Sequence, residues 1–281
     1  MDKFSEIEDD PLYQNNVLTI QTVQTGPIKT VIAVLKDILT ECTMTFTKDG
    51  WKVLNMDTSK TVVAYLDLFA SKFEKFYCKR DRIIIGVNLQ EMFKLIQGVE
   101  NNDILTIFID NKNYENGYVS HLSIKISNSV TKQISTTHMN LVDANTDILE
   151  YPDIVFSSVI TMPSLDFSKI IRTINALSTK VEIKSTFDQL LFTCVGTSGT
   201  TEIVRMENNS ANDTSGIKFM QKSDDITQGI FAIRNLNNFI KATPLSPGVD
   251  IYLKNDKPLV TQYSAANLGI LRLCLATLKS V

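Results

Sequence analysis

"IRNLNNFIKATPLS" (Ile233–Ser246) and "VNLQEMFKLIQGVE" (Val87–Glu100) read as two copies of one short helix, half a chain apart. Each opens on an aliphatic residue, reaches Asn-Leu within the next residues and sets aromatic and aliphatic side chains at helical spacing. Each carries a lysine and stops at Pro or Gly. A chain that writes the same helix twice is built from one unit used twice, and the flanking sequence bears this out.

In the first half a strand from Val17 to Gln24 leads into the helix "GPIKTVIAVLKDIL", with apolar Ile28, Val31, Ile32 and Leu35 on one face. "CTMTF" and "WKVLNM" follow as a strand pair turning at Asp49-Gly50. "TVVAYLDL" and "RIIIGV" read as strands, then comes the Val87 helix, then "DILTIFID", "HLSIKIS" and "KQISTTHMNL". The second half repeats the order. Strand "VFSSVITM" precedes helix "SLDFSKIIRTINAL" and the pair "VEIKS" and "LLFTC". "TTEIVRM", "GIFAI", the Ile233 helix, "VDIYLK", "PLVTQYS" and "ILRLCLA" complete it. Many short alternating strands with only two helices per unit predict an α+β fold of two similar domains, antiparallel sheets carrying their helices on one face. We expect an N-terminal extension over 1–16 without structure, domains over 17–141 and 154–281, and a connector over 142–153, where periodicity is lost. The polar run 208–225 reads as a mobile loop.

At 281 residues, 43% of them hydrophobic, the chain is long enough for two cores, and no apolar run approaches a membrane span. The acidic start lacks the layout of a signal peptide. Four scattered cysteines (Cys42, Cys78, Cys194, Cys274) and two histidines have no metal-ligand spacing, so no metal or cofactor is expected and the thiols read as buried in a reducing compartment.

A net charge of −3 argues no affinity for nucleic acid, but its distribution does. The helices hold Lys29, Lys36, Lys94, Lys169, Arg172, Arg234 and Lys241 against Asp37, Glu91 and Asp166, +4 in all, leaving −7 elsewhere. Solvated helix faces would account for such lysines one at a time. A helical surface that is positive on an otherwise negative molecule would instead attract phosphates without reading bases.

In order and spacing, "LKDIL" at Leu35, "NMD" at Asn55, "GVNL" at Gly86, "MPS" at Met162, "KATPLS" at Lys241 and "KPLVTQYSAANLGILRLCLA" from Lys257 resemble the proliferating cell nuclear antigen sliding clamps, over roughly Val17 to Leu278. The resemblance implies the DNA clamp fold, a ring-forming trimer with pseudo-six-fold symmetry whose helices line a central hole. It implies a processivity factor that encircles duplex DNA, tethers DNA polymerase and recruits replication and repair proteins. Expected partners are double-stranded DNA, DNA polymerase, a clamp loader, proteins with clamp-interacting peptides, and two further copies of itself. The seven cations match the hole-lining positions, with Thr30 and Gln97 standing where lysine is usual.

Edge strands from Lys132 to Asn140 and from Gly199 to Met206 match the subunit-joining edges, giving Lys132, Ile134, Thr136, His138, Thr201, Ile203 and Arg205 as interface residues. The pocket for partner peptides maps to Met56, Val63, Leu141, Leu149, Tyr151, Pro258, Cys274 and Ala276. Cys274 replaces a customary tyrosine there and Thr277 a proline. The family's ubiquitin-accepting lysine aligns with Phe187, leaving Lys184 as a nearby substitute.

The resemblance implies no catalysis. A checkpoint-type or monomeric relative is the alternative, with a metal-dependent nuclease behind it. Against the nuclease, no nucleotide-binding, zinc-protease or nucleophile motif occurs, and Asp57, Asp67 and Asp103 stand singly where solvated carboxylates are common. The nucleus is the expected location, or a cytoplasmic replication site for a large DNA virus.

Overall fold

A computed structural model describes residues 15–145, 149, 153–207 and 216–278. The chain divides into two compact units. The first runs up to Asn55 and includes Tyr65–Leu149 and Asn267–Gly269; the second takes Met56–Ala64 and the remainder.

The first unit begins with β1 (Asn16–Thr22) and α1 (Thr25–Lys36), then β2 (Glu41–Thr47), β3 (Gly50–Met56), β4 (Val62–Phe69), β5 (Lys75–Cys78) and β6 (Ile83–Asn88). It continues through α2 (Leu89–Ile96), β7 (Asp103–Asp110), a small hairpin of β8 (Tyr114–Glu115) and β9 (Tyr118–Val119), β10 (His121–Asn128) and β11 (Gln133–Asn140). One sheet runs β11-β10-β7-β1-β5 and a second β4-β3-β2-β6. At the β2–β3 turn Gly50 adopts φ +154°, and a Cβ there would sit 2.0 Å from the Leu68 carbonyl oxygen, so only glycine fits.

The second unit contains β12 (Ser158–Pro163), α3 (Ser164–Asn175), β13 (Lys180–Ser185), β14 (Gln189–Gly196) and β15 (Gly199–Met206). After these come β16 (Lys218–Gln221), β17 (Thr227–Ala232), α4 (Ile233–Phe239), a 3-10 segment (Ile240–Leu245), β18 (Gly248–Leu253), β19 (Leu259–Ser264) and β20 (Gly269–Leu275). Its strands order as β20-β19-β18-β12-β16 and β15-β14-β13-β17. Replacing each strand by its counterpart in the first unit reproduces the first unit's order in both sheets. The internal duplication therefore extends to the hydrogen-bonding topology, and among the described strands the β8–β9 hairpin is the first unit's one addition.

Helices cover one face in each unit, as an amphipathic pattern requires. Ile28, Val31, Ile32 and Leu35 of α1 are buried, as are Leu89, Met92 and Ile96 of the neighbouring α2. Complete burial of such a side chain contributes about 1.5–3 kcal/mol. Asn88 caps α2 by accepting the Glu91 N–H at 3.1 Å. The start of α3 is tied down otherwise: Ser164 donates its N–H to the Pro247 carbonyl (2.9 Å) and its hydroxyl to that of Ser246 (2.5 Å).

Three local expectations change. The Ile233 helix is α-helical only to Phe239, and Lys241 lies on the 3-10 segment. Pro244 has no N–H, and its ring would clash with the Ile240 carbonyl in an α-helix. The run 208–225 is not wholly loop, because Lys218–Gln221 pairs with β12 as an outer strand. Lys132 lies before β11, in the turn, with φ +57°. The expectations for 1–14 and for 208–215 lie outside the described residues.

Candidate functional site

Cations on the helices differ in what they already touch. Lys94, Lys169, Arg172 and Arg234 are exposed, as is Lys241 on the 3-10 segment. Lys94 meets Glu91 one turn away at 2.7 Å, and Lys169 approaches Asp166 at 3.9 Å. Both pairs are solvated and contribute little to stability. Lys29 is half-buried, its ammonium 3.4 Å from the Val99 carbonyl. Lys36 is the most committed, paired with Asp37 at 2.7 Å and lying 4.9 Å over the Phe93 ring, its side chain only 18% exposed. α1 thus presents its two lysines less freely than the other helices present theirs.

β11 and β15 are each the last strand of their sheet among the described strands. On β11, Ile134, Thr136 and His138 are exposed, Ile134 to 65%. The His138 Nδ1 lies 2.8 Å from the Ser123 hydroxyl of β10. On β15, Thr201, Ile203 and Arg205 are half-buried on one face, and Arg205 binds Asp166 in the first turn of α3 at 2.5 Å. The opposite face holds Val204 and Met206, exposed to 41% and 65%. Sequence reasoning passed over these two, although the strict alternation of "TTEIVRM" sets them on the face away from Arg205.

Among the described residues, five of those assigned to the peptide pocket belong to the second unit. Met56 ends β3, Val63 is near the start of β4, and Pro258 precedes β19. Leu259 of β19 pairs with Leu275 of β20. Cys274 and Ala276 share the β20 face that alternation places opposite Leu271, Leu273 and Leu275. Ala276 is half-buried, whereas Cys274 is 3% exposed. In the first unit, Leu141 and Val142 line a cleft of about 260 Å³ with Ile84, Gly86 and Tyr118. Val142 donates to the Gly86 carbonyl at 3.0 Å, fastening the start of the connector to β6. Leu149 is half-buried, and Tyr151 lies outside the described residues.

The single carboxylates are structural. Asp103 is 5% exposed, not solvated as expected, and accepts the Glu100 N–H (2.8 Å) and the Asn128 amide (2.7 Å). Asp67 takes the Tyr65 hydroxyl at 3.0 Å, and Asp57 organises a turn. Among the described residues no group of three or more His, Cys, Asp and Glu is placed to hold a metal ion. All four cysteines are free and buried, and burial pushes the Cys42 thiol up to about 12. Phe187 is 65% exposed at the β13–β14 turn, and Lys184 is half-buried on β13.

A family model described as the N-terminal domain of proliferating cell nuclear antigen matches residues 17–148, and one described as its C-terminal domain matches residues 150–278. The two matches meet near Leu149 and fall on the two topologically equivalent halves. Members of that family are non-enzymatic scaffolds. The chain belongs to the proliferating cell nuclear antigen family of DNA sliding clamps.

Proposed function

We propose that three copies of this chain close into a ring around duplex DNA and hold DNA polymerase and other replication and repair proteins to it. The observation that carries this reading is the repetition of one topology in two units, each pairing cationic helices with an exposed outer strand, β11 in one and β15 in the other. Exposed strand edges are templates for pairing, and closing a ring consumes them. With +4 on each chain's helices, the hole of a trimer carries about +12 formally, which attracts phosphates of any sequence. Lys29, Lys94, Lys169, Arg172, Arg234 and Lys241 are the phosphate contacts in this reading, with Lys36 weakened by its own ion pair. Residues 17–141 and 154–281 are the two clamp domains and 142–153 their connector.

The ring does no catalysis of its own. It takes Gln-, aliphatic- and aromatic-bearing peptides at Met56, Val63, Leu141, Leu149, Tyr151, Pro258, Cys274 and Ala276. A clamp loader opens it, and it works in the nucleus or at a cytoplasmic replication site. No helix among the described residues is long and apolar enough to cross a membrane.

Light scattering tests the assembly: three times 31.5 kDa is expected, and a single-chain mass at micromolar concentration would overturn the ring in favour of a monomeric processivity factor. Incubation with plasmid and Mg²⁺ or Mn²⁺ tests the rest, since metal-dependent nicking would show an enzyme.

A further inference from the structure

One carboxylate organises the turn between β3 and β4. The Oδ1 of Asp57 accepts the main-chain N–H groups of Thr61 and Val62, each at 2.7 Å. Its Oδ2 accepts the hydroxyls of Ser59 and, at 3.2 Å, Thr61. Those two hydroxyl oxygens are themselves 2.8 Å apart. The main chain closes the same loop, with Asp57 donating to the Val62 carbonyl at 2.9 Å and Lys60 to the Asp57 carbonyl at 3.0 Å. Lys60 adopts φ +57°, a left-handed conformation that costs about 1–2 kcal/mol for an L-residue and persists only where its surroundings impose it. Burial alone would raise the pKa of Asp57, but the hydrogen bonds from Ser59, Val62 and Thr61 outweigh it and hold the carboxyl below its usual range. The turn is therefore built around an ionised group.

Four of the residues assigned to the peptide pocket adjoin this turn. Met56 precedes Asp57 and Val63 follows Val62 directly. The Thr61 carbonyl accepts the Ala276 N–H at 2.9 Å, tying the end of β20 to the same turn. Pro258 stands across from Ala276, one step beyond the Leu259–Leu275 pair.

We propose that Asp57 is a positioning residue of the peptide pocket, fixing Met56, Val63 and Ala276 relative to one another through the Thr61–Val62 main chain without itself touching the peptide. This rests on the reading that partner peptides bind at those residues. Asp57→Ala removes all four acceptor contacts and frees the turn. Asp57→Asn keeps the Oδ1 that takes both main-chain amides, and its new amide can donate to the hydroxyl oxygens.

The test is calorimetry on the full chain with one synthetic peptide bearing Gln, an aliphatic residue and two aromatics. It compares wild type, Asp57→Ala, Asp57→Asn and Leu149→Ala, with solution mass and amide exchange measured on the same samples. Asp57→Ala is expected to bind about tenfold more weakly with the mass unchanged, a loss the size of a hydrogen bond or two to an ionised group. The Thr61 and Val62 amides should exchange faster in that variant, and Asp57→Asn should restore both readouts to within about twofold of wild type. Ser59→Ala, which removes one hydroxyl arm only, carries the test if Asp57→Ala does not fold, with an expected loss of about twofold to threefold. Wild-type affinity in Asp57→Ala (or in Ser59→Ala, where that variant stands in), or an Asp57→Asn as weak as Asp57→Ala, overturns the role of Asp57 and leaves the pocket standing. Wild-type binding that Leu149→Ala leaves untouched, or no wild-type binding, overturns the pocket and this role with it.

Discussion

Gly86 is the position at which the start of the connector can be loosened by a single methyl group. It is buried on β6, and it is not among the residues with positive φ, so alanine meets no backbone strain of its own there. The obstacle is steric. A Cβ at Gly86 would stand 2.4 Å from the Val142 carbonyl oxygen and 2.6 Å from that of Asp143, where ordinary contact begins near 3.4 Å. Both obstructing atoms are main chain, so no side chain can swing away. Residues 142 and 143 must retreat by roughly 1 Å, and the Val142 N–H to Gly86 carbonyl bond, now 3.0 Å, then passes out of hydrogen-bonding range. Overpacking of this kind costs about 1–3 kcal/mol, and the lost bond adds about 1 kcal/mol. A chain of two units need not melt in one two-state transition, so a local readout is preferred. Hydrogen exchange at the Val142 amide should accelerate by about 30-fold to 1,000-fold, the kinetic counterpart of about 2–4 kcal/mol. Leu141 moves with its neighbour, so peptide affinity should fall while solution mass stays constant. Unchanged protection at Val142 in Gly86→Ala would rule out this steric link, because a 2.4 Å contact cannot be absorbed without moving that amide.

Three further outcomes follow from the same geometry. Replacing Lys94, Lys169 or Lys241 by alanine should weaken DNA association equally for all sequences and lower the slope of log affinity against log salt by about one unit each, measured by salt-titrated anisotropy; a loss confined to some sequences would contradict phosphate contact. Asp103→Ala strands the Glu100 N–H and the Asn128 amide, a local loss of about 2–3 kcal/mol that should speed hydrogen exchange at the Glu100 amide by about 30-fold to 150-fold, whereas a change under about twofold would show the buried carboxylate to be dispensable. Cys274→Tyr, on the β20 face shared with Ala276, should tighten aromatic-bearing peptides by about fivefold or more in calorimetry, since a buried aromatic contact is worth a kcal/mol or more; equal affinities would place the binding aromatics elsewhere.

Much of this protein was legible in its residues because the signals are local. "DILTIFID", a short apolar run rich in isoleucine and bounded by aspartates, forms β7 over those same eight residues, while Ile28, Val31, Ile32 and Leu35 mark the buried stripe of α1. The repeated order of elements announced the duplication, since each copy carries the same local periodicities. Other features need groups from elsewhere in the chain and came into being on folding. "KFMQ" has too little pattern to announce a strand and becomes β16 because the edge of β12 is there to pair with. Lys36, already beside Asp37 in the sequence, reads as one more helix cation until the distant Phe93 ring is seen under its ammonium. Asp103 reads as solvated until Asn128 closes over it, twenty-five residues away. The turn at Asp57 looked like a solvated carboxylate in "MDTSK"; its four donors all lie within five residues, and the distant contribution is the Ala276 N–H bound to the Thr61 carbonyl. Period and composition act over a few residues and survive in the sequence; burial, ion pairing and the matching of donors to acceptors arise only when distant segments share space.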